Sequence, residues 1–288
     1  LETLCVIGML GSLLLICGFL PLPSLVLLWA CYLSLFHVGQ VFLSFQWDIL
    51  LLETGFLAIF LAPLIRSRCF TDRAPPRIAL WLLWWLLFRL MFESGVVKLS
   101  WNDGGDISLQ NTWETLTALD FHYWTQPLPL PTAWYAQQLP DWFQKLAVIF
   151  VFAIELCFPF FIFAPPRMRR VASAGFIFLM FAIGVTGNYT FFNLLTILLA
   201  ILLIDDACWP TRFRLRMAGT PTVSWVYWQQ IRTYFLLPLT ALAILIGSLH
   251  IYVALWPKAT WSRETIVRFN PRQWLLVNSY GLFRQMTE

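Results

Sequence analysis

Eight apolar stretches fall at 3–20, 22–44, 47–65, 78–99, 143–164, 170–187, 189–204 and 234–256, most of them near the ~20 residues that a helix needs to cross a bilayer. No other feature constrains the chain as tightly. In hydrocarbon, backbone N–H and C=O groups find no water, so a spanning segment must satisfy them internally, as a helix does. The expected fold is therefore all-α: a polytopic transmembrane helix bundle of about eight spans. Pro21 and Pro23 break the first pair, and 189–204 is short. Composition points the same way, with 59% hydrophobic and 12% charged residues, where a soluble domain carries about 25% charged. Too little polar surface remains to face water on every side. The 16 tryptophans suit the headgroup level, where indole prefers to sit. No basic stripe suggests nucleic acid. The six cysteines lie in or beside apolar runs without ligand-like spacing, so they read as small core hydrophobes rather than disulfides or metal ligands. No metal and no cofactor is expected.

The loops set an orientation. Arg66, Arg68, Arg73 and Arg77 crowd one loop, Arg167, Arg169 and Arg170 a second, and Arg212, Arg214 and Arg216 a third. The loop 100–142 instead holds Asp103, Asp106, Glu114, Asp120 and Asp141 with no Lys or Arg. If every span crosses once, all three Arg clusters share one side, which the positive-inside rule makes cytoplasmic. Residues 1–256 thus form the transmembrane domain. The 100–142 loop is expected on the non-cytoplasmic side. Within the loop, "NTWETLTAL" is expected to start a helix capped by Asn111, and "QPLPLP" to form an extended turn. With Trp113, His122, Tyr123, Trp124, Trp134 and Trp142, the loop reads as an amphipathic lid lying on the membrane. Asn188-Tyr189-Thr190 is a glycosylation sequon, but so close to two spans that a polar turn is the better reading of Asn188.

Charges inside the spans need a reason, because each costs about 2.5–3.5 kcal/mol at the bilayer centre on insertion scales. Arg89 and Glu93 are one helical turn apart and can pair. Glu53 and Glu155 lie deep in other spans, and either could reach Arg89 across a helix interface. His37, Gln40 and Ser44 form a polar stripe on the second span, and Asp48 sits near an end where it can be wet. Arg89, Glu93, Glu53, Glu155, His37 and Gln40 form an expected intramembrane polar network, either holding helices together or lining a cavity that acts on a substrate. Lys98, at the outer end of its span, reads from position alone as a snorkelling anchor. It stands about 140° around the helix from Glu93.

"VGQVFLSFQWDILLLETGFLAIFLAP" (38–63), "FRLMFESGVVKL" (88–99), "LTALDFHYWTQPLPLP" (116–131), "TGNYTFFNLLT" (186–196) and "LVNSYGLFRQMT" (276–287) together resemble the lipase maturation factors. That resemblance implies a polytopic membrane protein in which 257–288 start a C-terminal non-cytoplasmic domain that is not included. In animals such proteins sit in the endoplasmic reticulum and help dimeric secreted lipases, such as lipoprotein lipase, to fold and assemble; relatives also occur in bacteria. Two positions depart from the family pattern, Glu93 where a small residue is usual and Trp124 where Glu is usual. More distantly, "SGVVKLSW" is similar to a glycine-x-x-Lys-Leu stretch of the vitamin K-dependent carboxylase and its relatives, which implies an active-site base at Lys98, with His122 its neighbour.

Three functions remain open on these grounds. The first is a chaperone-like, non-enzymatic maturation factor whose lid meets client lipases or other secreted proteins on the non-cytoplasmic face. The second is a carboxylase-like enzyme using Lys98 as base with a lipid or quinone-like cofactor. The third is a structural subunit of a larger membrane complex. The location is the endoplasmic reticulum membrane for a eukaryotic chain and the inner membrane for a bacterial one.

Overall fold

A computed structural model of the chain describes residues 1–62, 76–100, 111–205, 208–209, 223–256 and 275–281. Among these residues every regular element is helical, apart from an isolated antiparallel bridge between Pro129 and Gly187. The Arg66, Arg68, Arg73, Arg212, Arg214 and Arg216 clusters, Asp103 and Asp106 lie outside the described residues. The chain divides into two units.

The first unit holds residues 1–85, 205–247 and 267–278. Here α1 (Glu2–Ile16) packs on α2 (Pro21–Gly39), and α2 packs on α3 (Gln46–Ile59). Gly18 and Leu20 take positive φ (72° and 45°) to turn the chain after α1, and Pro21 begins α2, where its missing N–H costs nothing. Asp48, expected to be wet, is instead buried. Its Oδ1 accepts from the Tyr32 hydroxyl at 2.5 Å and its Oδ2 from the Phe45 N–H at 3.3 Å, which closes the start of α3. Trp29 Nε1 donates to the Leu52 carbonyl at 3.1 Å, and Trp85 Nε1 to the Ala243 carbonyl at 3.3 Å. Ala243 belongs to α11 (Val223–Leu255), whose Leu236 and Ile246 are also buried.

The second unit holds residues 86–204, 248–266 and 279–288. It contains most of α4 (Arg77–Ser100), then α5 (Ala118–Thr125), α6 (Pro131–Gln137), α7 (Asp141–Phe152), a π-helical turn (Ala153–Cys157), α8 (Phe158–Phe161), α9 (Pro166–Thr186) and α10 (Phe192–Ile201). Helix α9 packs against α6, α8 and α10, and α5 against α6 and α7. Lipid is as apolar as leucine, so close van der Waals fit must join such helices. Phe88 and Phe92 of α4 supply it, meeting Phe160 with ring centroids 5.5 and 5.4 Å apart. Gly175 does so too, since a Cβ there would lie 2.4 Å from the Phe158 ring.

Among the described residues, five helical segments are long and apolar enough to cross a membrane: Pro21–Leu43, Arg77–Ser100, Asp141–Phe161, Pro166–Thr186 and Leu236–Leu255. The apolar helices α1 and α10 have 15 and 10 residues, about 22 and 15 Å at 1.5 Å per residue, against a hydrocarbon core of about 30 Å. Helix α3 stops at Ile59 after 14 residues.

Candidate functional site

Helix α4 carries the three charges that the sequence singles out, and they serve two different faces. Gly95 and Lys98, three residues apart, share one face. Lys98 is 1% exposed, so the snorkelling anchor is corrected: its ammonium points inward. It donates to both carboxylate oxygens of Glu155, at 2.8 and 2.6 Å, and to the Ser94 carbonyl at 3.1 Å. An ammonium has three hydrogens, and all three are accepted. Glu155 is therefore spent on Lys98, in place of the expected reach to Arg89.

Local sequence explains why these groups meet. Pro159 lacks an N–H, and its ring crowds the carbonyl four residues back, at Glu155. The rod widens there into the π turn Ala153–Cys157, which turns Glu155 inward; such bulges are frequent at functional sites. Gly95 lets the turn approach, since a Cβ there would lie 2.7 Å from Leu156 Cδ2 and 3.0 Å from Glu155 Cβ.

The pair is roofed by the loop. Asn111 Nδ2 donates to the Lys98 carbonyl at 2.7 Å, and Asn111 Oδ1 accepts from the Trp113 N–H at 3.0 Å. The Trp113 ring lies 5.1 Å from the Lys98 ammonium, within cation–π range. It is buried with Ala118, Leu119 and Val148 and meets Phe152 edge-on. Asn111 was expected to cap a helix running through "NTWETLTAL". Its side chain is committed to this turn, and helix α5 begins only at Ala118. Burial, and then the Lys98 charge, push the His122 imidazole down from 6.5 to about 4, so it is neutral at physiological pH.

On another face of α4, Arg89, Glu93 and Val97 repeat every four residues. Glu93 Oε2 accepts the Tyr280 backbone N–H at 2.7 Å, and Arg89 lies 5.7 Å from the centre of the Tyr280 ring. Arg89 and Glu93 are each 1% exposed. In the first unit, Glu53 Oε2 accepts from both the backbone N–H and the side-chain amide of Asn278 at 3.0 Å. Asn278 and Tyr280 were missed as site residues; the signal was their place in the "NSYG" of a family-like segment.

The remaining expected residues separate. His37, Gln40 and Ser44 are exposed, so they are placed outside the buried cluster. Of the aromatic lid set, Trp124, Trp134 and Trp142 are 56%, 64% and 67% exposed, while Tyr123 is half-buried and Trp113 and His122 are buried. The last two therefore support the loop from beneath. Leu130 N–H donates to Thr186 C=O at 3.1 Å and Asn188 N–H to Leu128 C=O at 3.2 Å, so "QPLPLP" pairs as an extended segment with the end of α9. Gln126, also missed, locks this junction. It accepts from the Tyr189 hydroxyl at 2.8 Å and donates to Thr186 C=O at 3.0 Å. Asn188 is exposed, and its side chain accepts the Thr190 N–H at 3.0 Å, making a polar turn.

Comparison with known proteins now bears on these segments. The profile of the lipase maturation factor transmembrane domain matches residues 1–211. The chain belongs to the lipase maturation factor family. It is similar to lipase maturation factor 2 of Xenopus laevis (51% identity over 212 residues, 72% of this chain and 29% of that protein). It is also similar to lipase maturation factor 2 of Homo sapiens (50% over 191 residues, 62% and 26%). Lipase maturation factor 1 of Mus musculus matches at 38% over 209 residues, 72% of this chain and 35% of that protein. The matched region thus spans about a third of these relatives' length or less. No solved structure matches significantly. Within this multi-pass family, the loop junction lies inside the matched residues 1–211, and the "NSYG" segment at 278–281 lies beyond them.

Proposed function

We propose that the protein is a membrane-embedded, chaperone-like maturation factor that assists folding and assembly of secreted dimeric lipases or related clients. It would work at the endoplasmic reticulum membrane in a eukaryote and the inner membrane in a bacterium, with residues 100–142 and the region after 257 on the non-cytoplasmic side. The apolar stretches 3–20, 47–65 and 189–204 would complete about eight spans. Trp124, Trp134 and Trp142 would form the client-facing part of the lid, since an exposed aromatic patch is what a folding helper needs.

The observation that carries this reading over the carboxylase-like one is the state of Lys98. A base needs a lone pair, and the ammonium here has all three hydrogens accepted by Glu155 and Ser94 under the Trp113 ring. That is the condition of a structural ion pair. The test supplies the full-length protein, with lipoprotein lipase, to cells lacking their own lipase maturation activity, and measures secreted active dimer. The double variant Lys98→Met/Glu155→Leu should keep most of the secretion, while Trp124→Ala/Trp134→Ala/Trp142→Ala should lower it at unchanged abundance. Loss of secretion in the Lys98/Glu155 double variant at normal abundance would overturn the non-enzymatic reading.

A further inference from the structure

We propose that the Arg89–Glu93–Val97 face of α4 is an intramembrane binding site for non-helical peptide, and that its resident ligand is the chain's own Ser279–Tyr280–Gly281. The proposal is independent of which client the protein serves.

The three residues follow one another at four-residue steps, so they make a continuous stripe along the helix. Each meets a different element of the peptide. Glu93 accepts the Tyr280 main-chain N–H at 2.7 Å, a charge-assisted bond of the stronger kind. Arg89 faces the Tyr280 ring at 5.7 Å, and Tyr280 is 3% exposed. Val97 meets Gly281 so closely that a Cβ there would lie 3.1 and 3.2 Å from the two valine methyls. The site therefore reads three things in order: a main-chain donor, an aromatic ring, and a residue without a side chain.

Membrane physics gives the reason for the carboxylate. Glu93 lies seven residues before the end of α4 at Ser100, about 10 Å along the helix. Non-helical backbone at that depth has amides that no helix satisfies, and it is tolerated only where protein groups take them up. A buried carboxylate beside an arginine does this for Tyr280. Thus Ser279–Gly281, read from sequence as part of a C-terminal non-cytoplasmic domain, is assigned to the membrane-embedded core.

The test uses the full-length membrane-embedded protein with its native cysteines replaced by serine or alanine. Val97→Cys and Gly281→Cys are introduced together with a protease site between residues 210 and 222. Val97 Cβ lies 3.5 Å from the position of a Cβ on residue 281, within disulfide reach, and Val97→Cys removes the methyls that the new side chain would meet. After mild oxidation and cleavage, the two fragments should stay linked. Glu93→Leu or Tyr280→Ala, added to the pair, should lower the docking equilibrium by about 10- to 100-fold and the linkage with it. Glu93→Gln, which keeps an acceptor oxygen, should retain linkage in part and so separates docking from misfolding. Fragments that fall apart with Glu93 and Tyr280 intact would overturn the proposal. So would linkage that is unchanged by Glu93→Leu and Tyr280→Ala.

Discussion

Removing Lys98 alone should damage the protein more than removing Lys98 and Glu155 together. Their side chains are 1% and 6% exposed and meet at 2.6 Å, so Lys98→Met strands a carboxylate with no water to solvate it. Breaking one side of a buried pair typically costs about 3–5 kcal/mol, whereas replacing both partners by apolar groups is often near neutral. Lys98→Met and Glu155→Leu should therefore each lower stability by about 3–5 kcal/mol, and the double variant should recover most of it. At about 2–4 °C per kcal/mol for a domain of this size, each single variant should melt about 6–20 °C lower. The assay is thermal unfolding of the purified protein in detergent, followed by tryptophan fluorescence, across all four corners of the cycle. Additive losses, with the double variant as unstable as the two single losses summed, would refute the pairing argument. So would a single-variant loss under about 1 kcal/mol, the range of an exposed ion pair.

Three other outcomes follow from the same geometry. His122 titrates near 4 in the fold against 6.5 when unfolded, so the unfolded chain binds the extra proton between those values; stability is complete above 6.5 and falls by about 3 kcal/mol as pH drops toward 4. His122→Asn should flatten that acid decline, measured as melting temperature against pH. Gly95→Ala puts a Cβ 2.7 Å from Leu156 Cδ2; it should cost about 1–3 kcal/mol and, by separating α4 from the π turn, lower the coupling energy measured in the Lys98/Glu155 cycle. Gly187→Ala would overlap Gln126 Oε1, so amide exchange at Leu130 and Asn188 should accelerate, and adding Gln126→Ala should relieve the clash without restoring slow exchange.

How legible the site was depends on which interactions run along a helix and which run between segments. The four-residue step from Arg89 to Glu93 shows at once that they share a face. The 140° offset of Lys98 from Glu93 likewise shows that Lys98 needs some other partner. That partner is 57 residues away in sequence, and its orientation rests on a π turn, which periodicity does not reveal. Lys98 looked like an anchor because the sequence places it near a span's end. It is buried because Trp113 and Asn111, from a loop read in sequence as an amphipathic lid on the membrane, fold over it. His37 and Gln40 made a convincing stripe on paper, yet a stripe does not say whether another helix covers it.

By itself the sequence determined the class: apolar runs of span length, charge confined to a few positions and tryptophan in abundance admit a helical membrane protein, because backbone polar groups have no other way to be satisfied in lipid. It also showed which charges must be explained. Only the tertiary structure decided their partners, Glu155 for Lys98, the Tyr280 amide for Glu93 and Asn278 for Glu53. The reason is physical: a buried charge is stabilised by whichever group comes within about 3 Å of it. Contact at that range between segments distant in the chain is set by packing details, such as Gly95, Pro159 and Gly281, whose consequences appear only once the helices are in place.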